Sequence, residues 1–206
     1  MEKQTEENQK KEEIPSNTEE EKEDETTYNK LKDLFDKNNI KYNHLEHAPA
    51  KTSEEVAKIR GTPLETGAKA MIIKIDDGFV EVVIPADKKF HSRPAKKLLK
   101  TDCLRFATKE ELTNLTHCIQ GAVPPFGSIF GLKTYCDEEI FNNKNYDYIS
   151  FNGGLRTKSF QIKKDDYMNL EKPNLCKICK WDFLYFVFLI YYNMIFIFFF
   201  FFFVYN

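Results

Sequence analysis

Ala70-Met71-Ile72-Ile73-Lys74-Ile75, then Asp76-Asp77-Gly78, then the run from Phe79 to Ile84, is the stretch that decides this fold. Two short runs rich in β-branched residues flank a strong turn signal. Each run is too short for a helix, and Asp-Gly supplies the backbone freedom a tight hairpin needs. The near-continuous apolar character of the first run predicts a strand buried on both faces.

Working back from the hairpin, Pro63 forces an extended loop. Before it, Thr52-Ser53-Glu54-Glu55 is a capping box that opens a helix with Val56 and Ile59 on one side and an end at Gly61. Tyr42 to Glu46 reads as a strand. Thr27 is expected to cap a helix over 28–39, with Leu31, Leu34 and Phe35 as its apolar stripe and Asn38-Asn39 as its end.

Working forward, a helix is expected over 92–99 with Ala95, Leu98 and Leu99 inward. Cys103 to Ala107 reads as a strand, and Thr108-Lys109-Glu110-Glu111 as a second capping box before Leu112 and Leu115. Gly121-Ala122-Val123-Pro124-Pro125-Phe126-Gly127 fits neither period and reads as a loop. Strands follow at 134–136 and 148–151, then a turn at Asn152-Gly153-Gly154. An alternating strand over 156–163 leads to a last helix beginning at Asp165. Hairpins outnumber βαβ units, which predicts an α+β domain with one mixed, strongly curved sheet.

The ends differ from this body. Residues 1–25 hold 11 Asp+Glu against 4 Lys+Arg, a net charge of −7; the whole chain carries −2, and −2 less −7 leaves +5 for the rest. Residues 1–26 are therefore expected to form a disordered acidic arm, having almost nothing apolar to bury. No apolar run follows Met1 to serve as a secretory signal. The division expected is an arm at 1–26, a domain at 27–172 and an apolar tail at 173–206. The tail has two readings: a C-terminal anchor, with Lys177 and Lys180 keeping the body cytosolic, or translated non-coding sequence, given seven consecutive Phe at 197–203. Five cysteines at wide spacing do not suggest a disulfide framework. Cys176-Lys-Ile-Cys179 lacks the second pair that a zinc site needs.

Four stretches, in order, resemble the YbaK/prolyl-tRNA-synthetase-associated editing family over about residues 28–172. They are His47-Ala48-Pro49 with Thr52 to Ala57; Gly67-Ala68-Lys69-Ala70-Met71-Ile72-Ile73; Gly121 to Gly127; and Phe151-Asn152-Gly153-Gly154 with Arg156 to Ser159. The resemblance implies a compact, barrel-like α+β domain with surrounding helices. It implies an aminoacyl-tRNA deacylase of the cytoplasm, with Cys or Ala on the proline tRNA as the common targets, acting without metal or cofactor. The implied partners are the 3′ acceptor end of tRNA and a prolyl-tRNA synthetase, with a membrane only if the tail is genuine. A binding module without catalysis on the same fold is the second reading.

The chemistry asked of such a site is modest, because an aminoacyl ester is already activated. Positioned water and a stabilised oxyanion suffice. The chain has neither a GxSxG elbow nor an HExxH helix. The expected catalytic set is Lys69, which the resemblance marks as the active-site lysine, and the loop residues Gly121, Ala122, Val123, Pro125 and Gly127. Amides of Ala122, Val123, Phe126 or Gly127 are the expected oxyanion donors. The expected substrate-binding set is His47, Asn152, Gly153 and Ser159, the last standing where some relatives carry an acid. Lys88, Lys89, Arg93, Lys96, Lys97 and Lys100 form a basic stretch suited to an RNA backbone.

Overall fold

The hairpin forms as its sequence demands. Strand β2 (Ala68–Ile75) pairs antiparallel with β3 (Gly78–Pro85), from Ala68 opposite Pro85 to Ile75 opposite Gly78. The structure is a computed structural model that describes residues 24–179, apart from 51 and 77. Most of the acidic arm and residues 180–206 of the tail lie outside the described residues. At the hairpin tip the Asp76 carboxylate accepts from the Thr101 hydroxyl at 2.7 Å and from the Asp102 and Cys103 amides at 3.0 and 3.1 Å. The tip is thus tied to the segment between α3 (Ser92–Leu99) and β4 (Leu104–Phe106).

The hairpin is the middle of a five-stranded mixed sheet, ordered β4-β2-β3-β5-β8. Here β5 is Lys133–Asp137 and β8 is Asn174–Cys176, and both added pairings are parallel. A second sheet, ordered β1-β7-β6, is antiparallel and built from β1 (Tyr42–Glu46), β7 (Lys158–Lys163) and β6 (Tyr148–Asn152). A bridge between Gly67 and Ser150 is where the sheets meet. A Cβ at Gly67 would lie 2.7 Å from the Ala86 Cβ, so the close approach needs glycine. The α+β class holds. The strands fall into two sheets rather than one, and these do not close into a barrel.

Helices cover the faces. Both capping boxes form, at Thr52 for α2 (Ser53–Arg60) and at Thr108 for α4 (Lys109–Thr116). Thr27 does not cap α1 (Thr26–Lys37): it lies inside the first turn, buried, and its hydroxyl donates to the Thr116 carbonyl. Ile59 and Leu98 face solvent instead of the core, while Ala57 takes the buried place beside Val56. Short helices α5 (Glu139–Asn142) and α6 (Lys164–Glu171) complete the set. The fold also runs past the expected boundary at 172. Strand β8 extends the sheet, and Cys176 and Ile178 are buried with Ile73, Val82 and Ile84. Among the described residues no helix is long and apolar enough to cross a membrane.

The principal core lies under the smaller sheet. Phe160 on β7 is its hub, with ring centroids 5.4 Å from Phe35, 5.7 Å from Tyr28 and 5.3 Å from Tyr42. Beside this core two carboxyl groups are buried together. Glu81 on β3 is fully buried, and Glu171 at the end of α6 nearly so. The Thr134 hydroxyl donates to Glu171 Oε1 and lies 3.3 Å from Glu81 Oε2. With that hydroxyl proton committed to Glu171, the Glu81 contact is satisfied when a protonated Glu81 donates to Thr134. Burial, then the neighbouring Glu171 charge, pushes the Glu81 carboxyl well above its ordinary value, and burial raises Glu171 as well.

A carboxyl that keeps its proton in the folded state, and loses it near 4.5 when unfolded, makes the unfolded state bind fewer protons above that pH. Stability is then full below the unfolded value and falls as pH rises toward the folded one. Glu81→Gln mimics the protonated form and should remove its share of the loss. Its melting temperature relative to wild type should rise by about 2–8 °C between about pH 5 and about pH 8 by differential scanning fluorimetry. A constant difference across that range would show that Glu81 is ionised in the fold.

Candidate functional site

The loop at 121–127 is exposed at Gly121 and buried from Ala122 onward. Its far end is sunk into the core: the Phe126 ring is 5.5 Å from Phe35 and 5.2 Å from Tyr167. Its near end turns at Gly121, whose φ of +88° strains any side-chain-bearing residue. Of the four amides expected to be free, three are satisfied internally. Ala122 N–H donates to the Ile119 carbonyl at 3.0 Å, Phe126 N–H to the Pro124 carbonyl at 2.8 Å, and Gly127 N–H to Thr134 Oγ1 at 3.2 Å. That leaves Val123 as the one amide of the four without such a bond among the described residues.

Val123 and Gly121 line a cleft of about 230 Å³ together with Lys69, Arg60, Asn152 and Ala86. The expected lysine and one end of the expected loop therefore share a single concavity. Lys69 stands opposite Ile84 in the hairpin, and its ammonium donates to the carbonyls of Lys88 at 2.5 Å and Ala86 at 3.2 Å. Two of its three N–H groups are held, leaving one to offer. Burial lowers its pKa from the ordinary lysine value. Among the described residues no carboxylate lines the cleft.

Asn152 and Arg60, which line the cleft, belong to a polar cluster whose other members, Ser159 and His47, line no part of it. Asn152 on β6 and Ser159 on β7 are cross-strand partners. Asn152 Nδ2 donates to the Gly121 carbonyl at 2.6 Å, which holds the loop's turn. His47 Nε2 is 2.6 Å from Ser159 Oγ, while its Nδ1 is 2.8 Å from the Ala48 carbonyl. Between Asn152 and Ser159 sits Arg60, which the sequence reading missed. Its Nη2 donates to Asn152 Oδ1 at 2.5 Å and its Nε to Ser159 Oγ at 2.9 Å. Burial alone brings its pKa down to about 10. The signal that would have found it is the spacing Val56 to Arg60, four residues apart on the buried face of α2.

The remaining expected residues serve packing. A Cβ at Gly127 would strike Thr134 Oγ1 and lie 3.1 Å from the Leu132 carbonyl, so this glycine lets the loop press on β5. Pro125 is buried. Gly153 is buried under Phe160, where a Cβ would come within 2.5 Å of ring atom Cδ2, and it lines no part of the cleft. Ala122 is fully buried and its carbonyl accepts from Gly154 N–H at 2.9 Å.

A family model for the aminoacyl-tRNA editing domain matches residues 47–170. The multifunctional Ser/Thr-tRNA deacylase ProXp-y of Escherichia coli strain K12 is 29% identical over 153 residues, covering 72% of this chain and 90% of that protein. A proline–tRNA ligase of Caldicellulosiruptor bescii is 30% identical over 138 residues, which is 63% of this chain and 23% of the ligase. Among solved structures, a candidate trans-editing enzyme for prolyl tRNA synthetase shares the fold with a TM-score of 0.65 at 21% identity, over 76% of this chain and 98% of that one.

Because Gly153 makes room for the Phe160 ring, Gly153→Ala should cost about 1–3 kcal/mol of stability by overpacking. Urea unfolding checks this. An unchanged midpoint with weakened ligand affinity would instead make Gly153 a contact residue.

Proposed function

The chain belongs to the aminoacyl-tRNA editing domain family, and from that premise we propose that it is a deacylase that frees tRNA from a wrongly attached small amino acid, alanine, cysteine or serine, on the proline tRNA. The observation that carries this reading is the cleft that joins Lys69, Arg60 and the Gly121–Val123 turn with no carboxylate in its lining. Such a lining favours the anionic backbone of an RNA 3′ end. Water adds to the ester carbonyl carbon, and the carbonyl oxygen becomes an oxyanion. The C–O bond to the terminal ribose then breaks, and the ribose oxygen leaves with a proton, giving free amino acid and intact tRNA.

The Val123 amide and the remaining Lys69 N–H are the donors we assign to the developing oxyanion. Neither needs to reorganise, since the loop is anchored by Phe126 and the ammonium by two carbonyls. Ala122 and Gly127 support this from below, and Ser159 and His47 back Arg60 from outside the cleft. We assign the editing unit to residues 27–179, ending after β8. The acceptor stem lies on the face formed by Lys88, Lys89 and α3, where Arg93, Lys96, Lys97 and Lys100 are exposed. Lys69 joins that face to the cleft through its bond to the Lys88 carbonyl. A prolyl-tRNA synthetase is the proposed partner, supported by the similarity to part of a proline–tRNA ligase.

The test is a panel of Ala-, Cys- and Ser-charged proline tRNA incubated with the purified chain. We expect release of at least one amino acid, and a fall in kcat/KM of about 100-fold for Lys69→Ala. Tight binding without hydrolysis of any charged tRNA would make the chain a binding module. Arg93→Glu with Lys97→Glu should weaken binding and flatten its salt dependence, by about 0.9 in the log–log slope for each phosphate no longer neutralised. An unaltered slope would move the stem elsewhere.

A further inference from the structure

We infer that Arg60 is a positioning residue for the deacylation proposed above: it orients Asn152, and through Asn152 it fixes the Gly121 turn that presents the Val123 amide. The inference rests on that functional reading and on the directions in which protons must point along one chain of hydrogen bonds.

Arg60 donates from every nitrogen and accepts nowhere. Its Nη2–H at 2.5 Å therefore requires the oxygen of the Asn152 amide to face it. The amide nitrogen then faces the Gly121 carbonyl at 2.6 Å, as a donor. A flipped Asn152 would set donor against donor at Arg60 and oxygen against oxygen at Gly121, so only one orientation survives. On the other side, Ser159 Oγ accepts from Arg60 Nε at 2.9 Å, so its own proton must go elsewhere. His47 Nε2 at 2.6 Å is nearer than Asn152 Oδ1 at 3.4 Å, which Arg60 already occupies. The Ala48 carbonyl, 2.8 Å from His47 Nδ1, calls for the N–H on that nitrogen and leaves Nε2 as the acceptor. The guanidinium thus sets the sense of the bonds from Gly121 to Ser159, and the Ala48 carbonyl matches it from the far side of His47.

The cost of this arrangement argues that it has a use. Arg60 is half-buried with neutral partners, and among the described residues no carboxylate forms an ion pair with it. Burying a cation against neutral groups is unfavourable compared with an aliphatic side chain filling the same space. What an aliphatic residue lacks is a rigid pair of N–H groups at a fixed angle. Lysine lacks it too, since its ammonium is a point donor on a flexible stem. Gly121 needs such a restraint: its positive φ and exposed position give the turn little packing of its own.

The experiment compares Arg60→Met, Arg60→Lys, Asn152→Ala and the double variant Arg60→Met/Asn152→Ala on the charged-tRNA substrate. Arg60→Lys, which keeps the charge, should lower kcat by about 100-fold with KM unchanged, as expected for a misplaced oxyanion donor. Arg60→Met should lose as much in kcat and also raise KM, because the cleft loses a cation. The double variant should be no slower than the slower single, because both act through the same turn. In ¹⁵N NMR, Arg60→Met should shift both the Asn152 side-chain amide and the His47 ring nitrogens. Full activity in Arg60→Lys, multiplicative losses in the double variant, or unmoved Asn152 and His47 signals would each overturn the inference. Should Arg60→Met fail to fold by circular dichroism, Arg60→Lys and its spectrum decide alone. A wild-type chain that hydrolyses none of the charged tRNAs would sink the functional reading, while the NMR arm would still report whether Arg60 sets the network.

Discussion

The cleft depends on a loop anchored in two different media. At one end Phe126 is buried among Phe35, Phe151 and Tyr167, so the chain cannot lift away without exposing a large aromatic surface. At the other end the Gly121 carbonyl is held by a side-chain amide at the surface. Between them the Ala122 carbonyl accepts from Gly154, whose φ of +95° brings the β6–β7 turn against α1. Apolar burial supplies the strength, and hydrogen bonds supply the aim. A loop held only by the second would wander, and one held only by the first would have no defined tip.

The polar groups around this loop are arranged in opposite electrostatic senses. Beneath it, Glu81 and Glu171 share Thr134, which also accepts from the Gly127 amide. Above it, at the cleft, stand Arg60 and Lys69. The buried acids are driven toward the neutral form, so the loop does not sit over two negative charges that would oppose an incoming RNA. The arginine keeps its charge despite burial. Desolvation thus acts in opposite directions on the two sides, neutralising the groups below while leaving the cationic face of the cleft intact.

Much of this was legible in the sequence where the cause is local. Thr52 and Thr108 announce their helices because a capping box is complete within four residues. The hairpin is legible because its turn and both strands are contiguous. The resemblance brought Lys69, Gly121, Val123 and Asn152 to one cleft. Strand β8 and Arg60 were missed because of distance along the chain. Strand β8 pairs in parallel with β5 from about forty residues away, and parallel pairing leaves no turn to read. Gly127 and Gly153 failed for a different reason: they look like ligand-binding glycines, yet each makes room for a side chain on the strand that follows its turn, Thr134 on β5 and Phe160 on β7, and no local period announces that contact. Arg60 was hidden because an arginine near a helix end is ordinarily a solvated charge, and its partners Asn152 and Ser159 lie about a hundred residues away.

The place of β8 also bears on how the domain is cut out of its gene. The match to the family ends at residue 170, and a fragment stopped there would lack the outermost strand of the larger sheet. Tyr135 to Asp137 would present a bare row of amides and carbonyls. The hollow that Ile178 fills beside Val82 and Ile84 would stand open to water. Such a border recruits other copies of itself, and the shortened protein would be prone to clump for reasons unrelated to its catalytic cleft.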